Sequence, residues 1–446
     1  MKRNNYLKKV KVLMTVGIVV LALSIAVPAN TQEKVVLEYW HGWTGAWTPV
    51  IADICDMFGK VYPDIKIKSV VVPYGEKETK FLASVAAGTP PDVLFTDPNV
   101  IPFAQMGAII PVDTLMSKEE MDKFKEYVWP LNWQGNVYDG HIWSFYGFVD
   151  VMALYYNKGI FREVGLDPNK PPLDIKTLDE YAEKLSTYDA KGNIDRAGFI
   201  PSDLWQWGNV FGGDFQDPDN PNVITVNNPK VVKALEWIAS YSKKYDVKRI
   251  TAFNASLAEE RTMALDPLIS ERFAMQLMGQ WKVIDIDKYA KEGFDYGVVP
   301  LPYPSGGRKN AHMQNCSGYG LIPKGTPHPE EALKFLLYWN GYPSTPEIVR
   351  DRAKIMVAGG WMPLAETVWE HPIVNDYLEK FPAFKVFADI LRAETTKVLT
   401  TPAQTYYIDR LLVAEDKARL LQVTPKQALD TCTAEVQKEL DRILKR

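Results

Sequence analysis

The stretch KFLASVAAGTPPDVLFTD, residues 80–97, contains two elements in eighteen residues. Phe81, Leu82, Val85 and Ala86 recur at helical spacing and form the stripe of a short helix. Gly88 and the Pro90-Pro91 pair stop that helix. The segment 92–97, DVLFTD, then reads as a short buried strand that ends on the carboxylate of Asp97. The same alternation holds upstream: residues 35–40, VVLEYW, are β-branched and aromatic, 50–58 carry apolar residues at helical spacing, and 65–72 form a second strand. Strand, helix, strand, helix, strand in that order predicts an α/β fold on a parallel sheet.

Further along, 149–156, 272–278, 296–301 and 318–322 read as strands. Ser117-Lys-Glu-Glu120 and Thr177-Leu-Asp-Glu180 read as capping boxes. Val231, Ala234, Leu235, Ile238 and Tyr241 form an amphipathic stripe, and 330–339 is a helix behind two prolines. From 383 onward the signal is almost wholly helical, and Thr424-Pro-Lys-Gln427 opens the last helix with a cap, a proline and a capping-box glutamine. No internal repeat and no low-complexity linker interrupts the chain. Any passage between domains must therefore use ordered strands.

The chain begins MKRNNYLKKVK, continues into an apolar run over 12–27, and reaches Val27-Pro28-Ala29. This is the pattern of a secretory signal peptide, with cleavage expected after Ala29. The run is short for a membrane span, which needs about 20 residues. Residues 1–29 hold five Lys/Arg and no acid; without them 46 basic residues face 55 acidic ones, a net charge near −9. So acidic a chain is a poor partner for nucleic acid or an anionic membrane. Cys55, Cys316 and Cys432 are too widely spaced for a disulfide framework or a CxxC metal site, and buried free thiols are expected. About 417 remaining residues exceed the size at which one core stops growing, so two domains are expected.

Motifs of catalysis are missing. The five histidines show no metal spacing, no phosphate-binding glycine loop follows a strand, and no nucleophile elbow occurs. No cofactor and no metal are implied. A pair of carboxylates brought together by the fold, as a glycoside hydrolase needs, leaves no signature in sequence.

Six segments in order give the chain a resemblance: LEYWHGWTG with YPDIKIK; residues 80–97; GHIWSFYGFVDVMALYYNKGIFREVGLDP; AGFIPSDLWQWGNVFGG; ERFAMQLMGQWKV with FDYGVVPLPYPSGG; and GYGLIPKGTPHPEEALKFLLYW. Together they resemble the maltose-binding class of extracellular solute-binding proteins, the substrate receptors of ABC importers. The resemblance implies an α/β, two-lobed periplasmic-binding-protein fold of type II with three interlobe crossings, placed near 149–154, 298–303 and 340–345. Lobe one is then 33–149 with 302–342, and lobe two 150–300 with 345–446. It implies a monomer in the periplasm or at the outer face of the cell membrane, with membrane permease subunits as partners and no chemistry of its own.

Composition suggests the ligand. The chain has 13 Trp, 22 Tyr and 18 Phe, and buried indoles need a partner for their N–H. A sugar ring offers a C–H face that stacks on aromatic rings and hydroxyls that bond to carboxylates and amides. Residues 202–213, SDLWQWGNVFGG, set Trp205 and Trp207 among such polar groups; the two share a face if the segment is extended and diverge if it is helical. By position, the expected ligand contacts are Trp207, Trp281, Trp361, Trp205, Trp43, Asp97, Trp40, Tyr146, Tyr319 and Gln280. Trp237 and Trp339 lie on apolar helix stripes and are expected in the core. The expected function is capture of a carbohydrate, an oligosaccharide, for import. The alternatives are a secreted glycoside hydrolase with an aromatic cleft, or the same fold with a non-sugar solute.

Overall fold

The computed structural model describes residues 34–97, 100–259, 266–314, 318–393, 396–399 and 401–445. The expected signal peptide and Cys316 lie outside the described residues. Val35–His41 is the centre of a parallel trio. Ile65–Val71 pairs along its whole length on one side, and Val93–Thr96 lies on the other. Tyr319–Pro323 returns antiparallel beside Val93–Thr96 and also pairs with Ile109–Ile110 and Phe145–Tyr146. Strand alternation sends Leu37, Tyr39 and His41 to one face, where they are buried. The helix Thr48–Val61 buries Ile51, Ile54 and Phe58, spaced three and four apart, against this sheet. Phe335 and Trp339, from the helix Pro329–Trp339, complete that core.

A second sheet is antiparallel, with Met152–Asn157 between Met275–Gly279 and Tyr296–Val299. Its central strand is apolar from Met152 to Tyr156 because both faces are covered. Leu154 and Tyr156 face a core that includes Leu235 and Ile238 of the helix Pro229–Tyr245. Ala153 and Tyr155 face a different cluster, in which Tyr155 meets Phe387 at 5.8 Å between ring centroids. A small parallel pair, His312–Gln314 with Thr396–Val398, lies against the helix Leu204–Val210.

The capping boxes at Ser117 and Thr424 form as read. The one read at Thr177 does not. That helix starts at Ile175, and the Asp174 side chain is the cap, accepting from Thr177 N–H at 2.9 Å. An aspartate with an extended backbone three residues earlier offers a stronger acceptor than the threonine hydroxyl. Among the described residues, Cys55 and Cys432 are free, and no helix is long and apolar enough to cross a membrane.

Candidate ligand-binding cleft

Parallel strands present ligand groups at their C-terminal ends. Here Val35–His41 ends into Gly42 and Trp43, and Val93–Thr96 ends into Asp97. These residues line a cleft of about 480 Å³. The first-sheet side supplies Trp43, Trp47, Tyr74 and Asp97. Asp150, Gln280, Trp281 and Tyr289 come from the region of the second sheet, and Phe148 and Trp361 lie at the base. The chain also carries a larger groove of about 630 Å³ beside Tyr296 and Phe381. Of its three lysines, Lys158 and Lys291 are paired, with Asp295 and Glu271, and Lys380 sits over the Phe381 ring; the groove lies away from the parallel strand ends.

The aromatic floor is built in layers. Trp43 packs on Trp361 at 4.9 Å between ring centroids and stacks on Trp339 at 6.0 Å. Trp43 and Trp361 are 9% and 4% exposed, so little of either ring is accessible. Trp47 and Trp281 are half-buried, and Tyr74 is exposed. They hold the accessible aromatic surface. The Trp47 indole N–H donates to Gly359 O at 3.1 Å, tying the turn after the first strand to the end of the helix Pro346–Gly359.

Three glycines make this aromatic lining sterically feasible. A Cβ on Gly279 would lie 2.0 Å from the Trp281 ring, one on Gly359 2.3 Å from Trp361, and one on Gly42 2.8 Å from Tyr74. Each ring lies directly over the backbone of its glycine, which only an absent side chain permits.

Behind the floor lies a buried polar group. His41 Nδ1 accepts the Trp43 backbone N–H at 3.1 Å, which assigns the proton to Nε2, 2.7 Å from Ser69 Oγ. The His41 ring stacks on Trp43 at 5.6 Å. Burial, reinforced by the Lys77 charge, lowers the His41 pKa to about 4, so the ring is neutral at pH 7. Lys77 donates to Asp97 Oδ2 at 3.1 Å and to Phe95 O at 3.3 Å, and its ammonium sits 4.2 Å from the Tyr74 ring centroid. Burial raises the Asp97 pKa while Lys77 opposes the rise. Although half the Tyr74 side chain is open to solvent, the protein packed around its hydroxyl, then the carboxylates of Asp97 and Asp150, push the phenol up, so it remains a neutral O–H donor.

Of the expected contacts, Trp43, Asp97, Gln280, Trp281 and Trp361 meet at this cleft. The other five do not. Trp207 is fully buried in the helix Leu204–Val210, with its ring 4.7 Å from Trp237 and 6.0 Å from Phe199. Trp205 is buried against Phe215 at 4.7 Å. Because the segment is helical, the two indoles diverge into different parts of one core. Its polar residues have a structural task. Gln206 exchanges two hydrogen bonds with the Met313 backbone, at 2.8 and 3.0 Å, and Asn209 donates to His312 O at 3.0 Å. Gly213 allows close helix packing, since a Cβ there would sit 2.4 Å from Val231. Tyr146 and Tyr319 are buried partners, hydroxyl to hydroxyl at 2.9 Å. Trp40 lies on the strand face opposite Tyr39, with its indole N–H donating to Glu38 at 2.7 Å.

Sequence reasoning missed Trp47, Tyr74, Asp150 and Tyr289. Asp150 left a signal, a lone acid at the start of an apolar strand. Trp47 had one too, as a second indole in the turn after the first strand. Gln280 plays an indirect part. Its amide accepts from Val151 N–H at 2.9 Å and donates to Asp150 Oδ1 at 2.6 Å, so it holds Asp150 at the cleft wall.

Comparison with known proteins adds to this geometry. A family described as bacterial extracellular solute-binding protein matches residues 53–380. The sn-glycerol-3-phosphate-binding periplasmic protein UgpB of Escherichia coli O1:K1 is 26% identical over 439 residues, 92% of this chain and 94% of that protein. Among solved structures, CpMnBP1 with mannotriose bound superposes with a TM-score of 0.74 at 28% identity, covering 90% of this chain and all of that one. The maltose/maltodextrin-binding domain MalE from Bdellovibrio bacteriovorus gives a TM-score of 0.70 at 21% identity, over 91% of this chain and 100% of that one. The fold is that of the maltose-binding-like, type II periplasmic binding proteins.

Proposed function

This chain belongs to the bacterial extracellular solute-binding proteins, and on that premise we propose that it captures a carbohydrate, an oligosaccharide, and delivers it to the membrane permease of an ABC importer. The observation that carries the reading is the cleft lining: half-buried Trp47 and Trp281 and exposed Tyr74 surround the carboxylates of Asp97 and Asp150. Aromatic surface accepts the C–H face of a saccharide, and carboxylates accept its hydroxyl protons in charge-assisted bonds. CpMnBP1, solved with mannotriose, supports this ligand class.

The mechanism is hinge closure of two jaws, 33–149 with 302–342 and 150–300 with the C-terminal part of 345–446; the helix Pro346–Gly359 and Trp361 pack with the first jaw, against Ile51, Trp43 and Trp339. The saccharide stacks on Trp281 from one jaw, and Trp47, Tyr74 and Asp97 close on it from the other. Trp43 and Trp361 form the floor. The ligand shifts the population by its preference for the closed state, which the permease reads. In this reading no bond is broken, and Asp97, bonded by Lys77, and Asp150, bonded by Gln280, serve as hydrogen-bond acceptors. The chain acts as a monomer in the periplasm or at the outer face of the membrane.

Calorimetric titration with mannobiose, maltotriose and cellobiose tests the reading. One-to-one binding of at least one saccharide, recovered unaltered, is expected. Hydrolysis of the bound saccharide, or binding of none of them, contradicts it.

A further inference from the structure

We propose that Lys77 is a positioning residue of the cleft: from behind the lining, it sets both the Asp97 carboxylate and the Tyr74 ring in the geometry that receives the saccharide. The inference rests on the carbohydrate reading and deepens it. For the fold alone, this lysine is badly placed. It is the first residue of the helix Lys77–Ala86, the end where the helix dipole disfavours a cation. Its side chain is 4% exposed, so the ammonium has also lost most of its water.

Its contacts explain the placement. Lys77 Nζ donates to Asp97 Oδ2 at 3.1 Å and to Phe95 O at 3.3 Å. The Tyr74 ring centroid lies 4.2 Å away, within cation–π range. One ammonium therefore joins the end of the strand Val93–Thr96, the turn Tyr74–Glu76 and the start of the helix. Tyr74 and Asp97 line the cleft. Tyr74 is half exposed and Asp97 lies just past its strand, so neither is locked in a core. Groups held in place before the ligand arrives lose less entropy on binding. Lys77 also acts on charge. Burial raises the Asp97 pKa and Lys77 opposes the rise. The other titratable groups about this carboxylate are Glu78 on the helix, Tyr74 in the turn and, through Tyr74 and Lys77, Asp150 and His41. In this group Lys77 is the cation that favours ionised Asp97. Without it, Asp97 takes up a proton at higher pH and becomes a weaker acceptor for a sugar hydroxyl.

The test is calorimetry on the full chain between pH 8 and pH 5, with whichever of mannobiose, maltotriose and cellobiose wild type binds most tightly, and unfolding midpoints measured beside it. Lys77→Met is expected to weaken binding at pH 7 about tenfold or more, the worth of one bond to a charged group, and to move the loss of affinity in acid to higher pH. Lys77→Gln keeps N–H donors without the charge and is expected to show the same pH shift with a smaller loss; it carries the test if Lys77→Met does not fold. In an Asp97→Asn background, Lys77→Met is expected to cost less affinity than in wild type, because one of the two groups it holds has lost its charge. An unmoved acid limb, or an equal loss in both backgrounds, overturns the inference while the carbohydrate reading stands. A lower unfolding midpoint with wild-type affinity in the folded fraction marks a merely structural lysine and overturns it too. If wild type binds none of the three saccharides, the carbohydrate reading falls and this inference with it.

Discussion

Trp43 and Trp361, remote in sequence, bring their ring centroids to 4.9 Å and form one aromatic floor. Trp339 backs both, at 6.0 Å from Trp43 and 5.4 Å from Trp361. The half-buried Trp281 stands on this floor as a wall. An indole that closes a core and one that faces a ligand differ in how much surface remains, not in residue type.

That distinction gives a paired prediction. Trp281→Ala is expected to weaken saccharide binding by about 1–3 kcal/mol, the worth of one stacking contact, with little change in the unfolding midpoint. Trp207→Ala is expected to cost about 3–5 kcal/mol of stability, as for buried large-to-small changes, while the folded fraction keeps wild-type affinity. Calorimetry beside denaturant unfolding checks both. Loss of affinity in Trp207→Ala at unchanged stability would return Trp207 to the site.

Gly279 should prove as sensitive as the indole it carries. A Cβ there overlaps the Trp281 ring at 2.0 Å, so Gly279→Ala is expected to displace the ring and reduce affinity about as much as Trp281→Ala. Gly59, in the helix Thr48–Val61, is the control. Its nearest neighbour to a new Cβ is 3.9 Å away, and Gly59→Ala is expected to add about 0.5–1 kcal/mol of stability and leave affinity alone. Equal affinities in Gly279→Ala and wild type would mean that Trp281 does not touch the ligand.

Most of the fold was legible in the sequence because its signals are local. The helix stripe and strand of residues 80–97 form as read, with Phe81 and Val93 to Thr96 buried. The site was legible in part. Trp281 and Trp361 were expected at the cleft by position, and the structure shows what lets them sit there: the glycine two positions earlier, Gly279 or Gly359, leaves room for the ring to fold back over the backbone. The stretch around Trp205 and Trp207 misled because its polar residues and glycines suit a sugar site as well as a helix docked on a strand edge. Only the partners of Gln206 and Asn209, at Met313 and His312, decide between the two, and those lie about a hundred residues away in the chain. Asp150 owes its role to Gln280, an equally long-range contact that no periodicity records.

Acid should weaken the protein through His41. The folded pKa is lowered to about 4 from the ordinary 6.5. Between those values the unfolded chain binds a proton that the folded chain does not, so stability is fully present above pH 6.5 and falls as pH drops toward 4. The loss attributable to this residue is on the order of 3 kcal/mol. His41→Gln is expected to show a shallower decline between pH 6.5 and 4 by chemical denaturation. Parallel profiles for the two proteins would contradict the assignment.

Asp203 acts in the opposite direction. Burial, then the nearby Glu415 carboxylate, raises its pKa to about 7 from 3.8. The folded chain holds a proton that the unfolded one has released, so this contribution is present at low pH and is lost as pH rises through 7. Asparagine keeps the side-chain cap and tolerates the positive φ of 74° at this position. Asp203→Asn is expected to melt higher than wild type at pH 8 and to approach it as pH falls toward 3.8. A lower midpoint at pH 8 would show that the ionised form is favoured.

The most direct measurement is tryptophan emission during titration with neutral oligosaccharides, in wild type and in Trp281→Phe with Trp47→Phe. The account predicts a saturable change in wild type that largely disappears in the double variant, because those two indoles hold the accessible aromatic face of the cleft. Emission that no oligosaccharide perturbs, or that responds equally in both proteins, would contradict it.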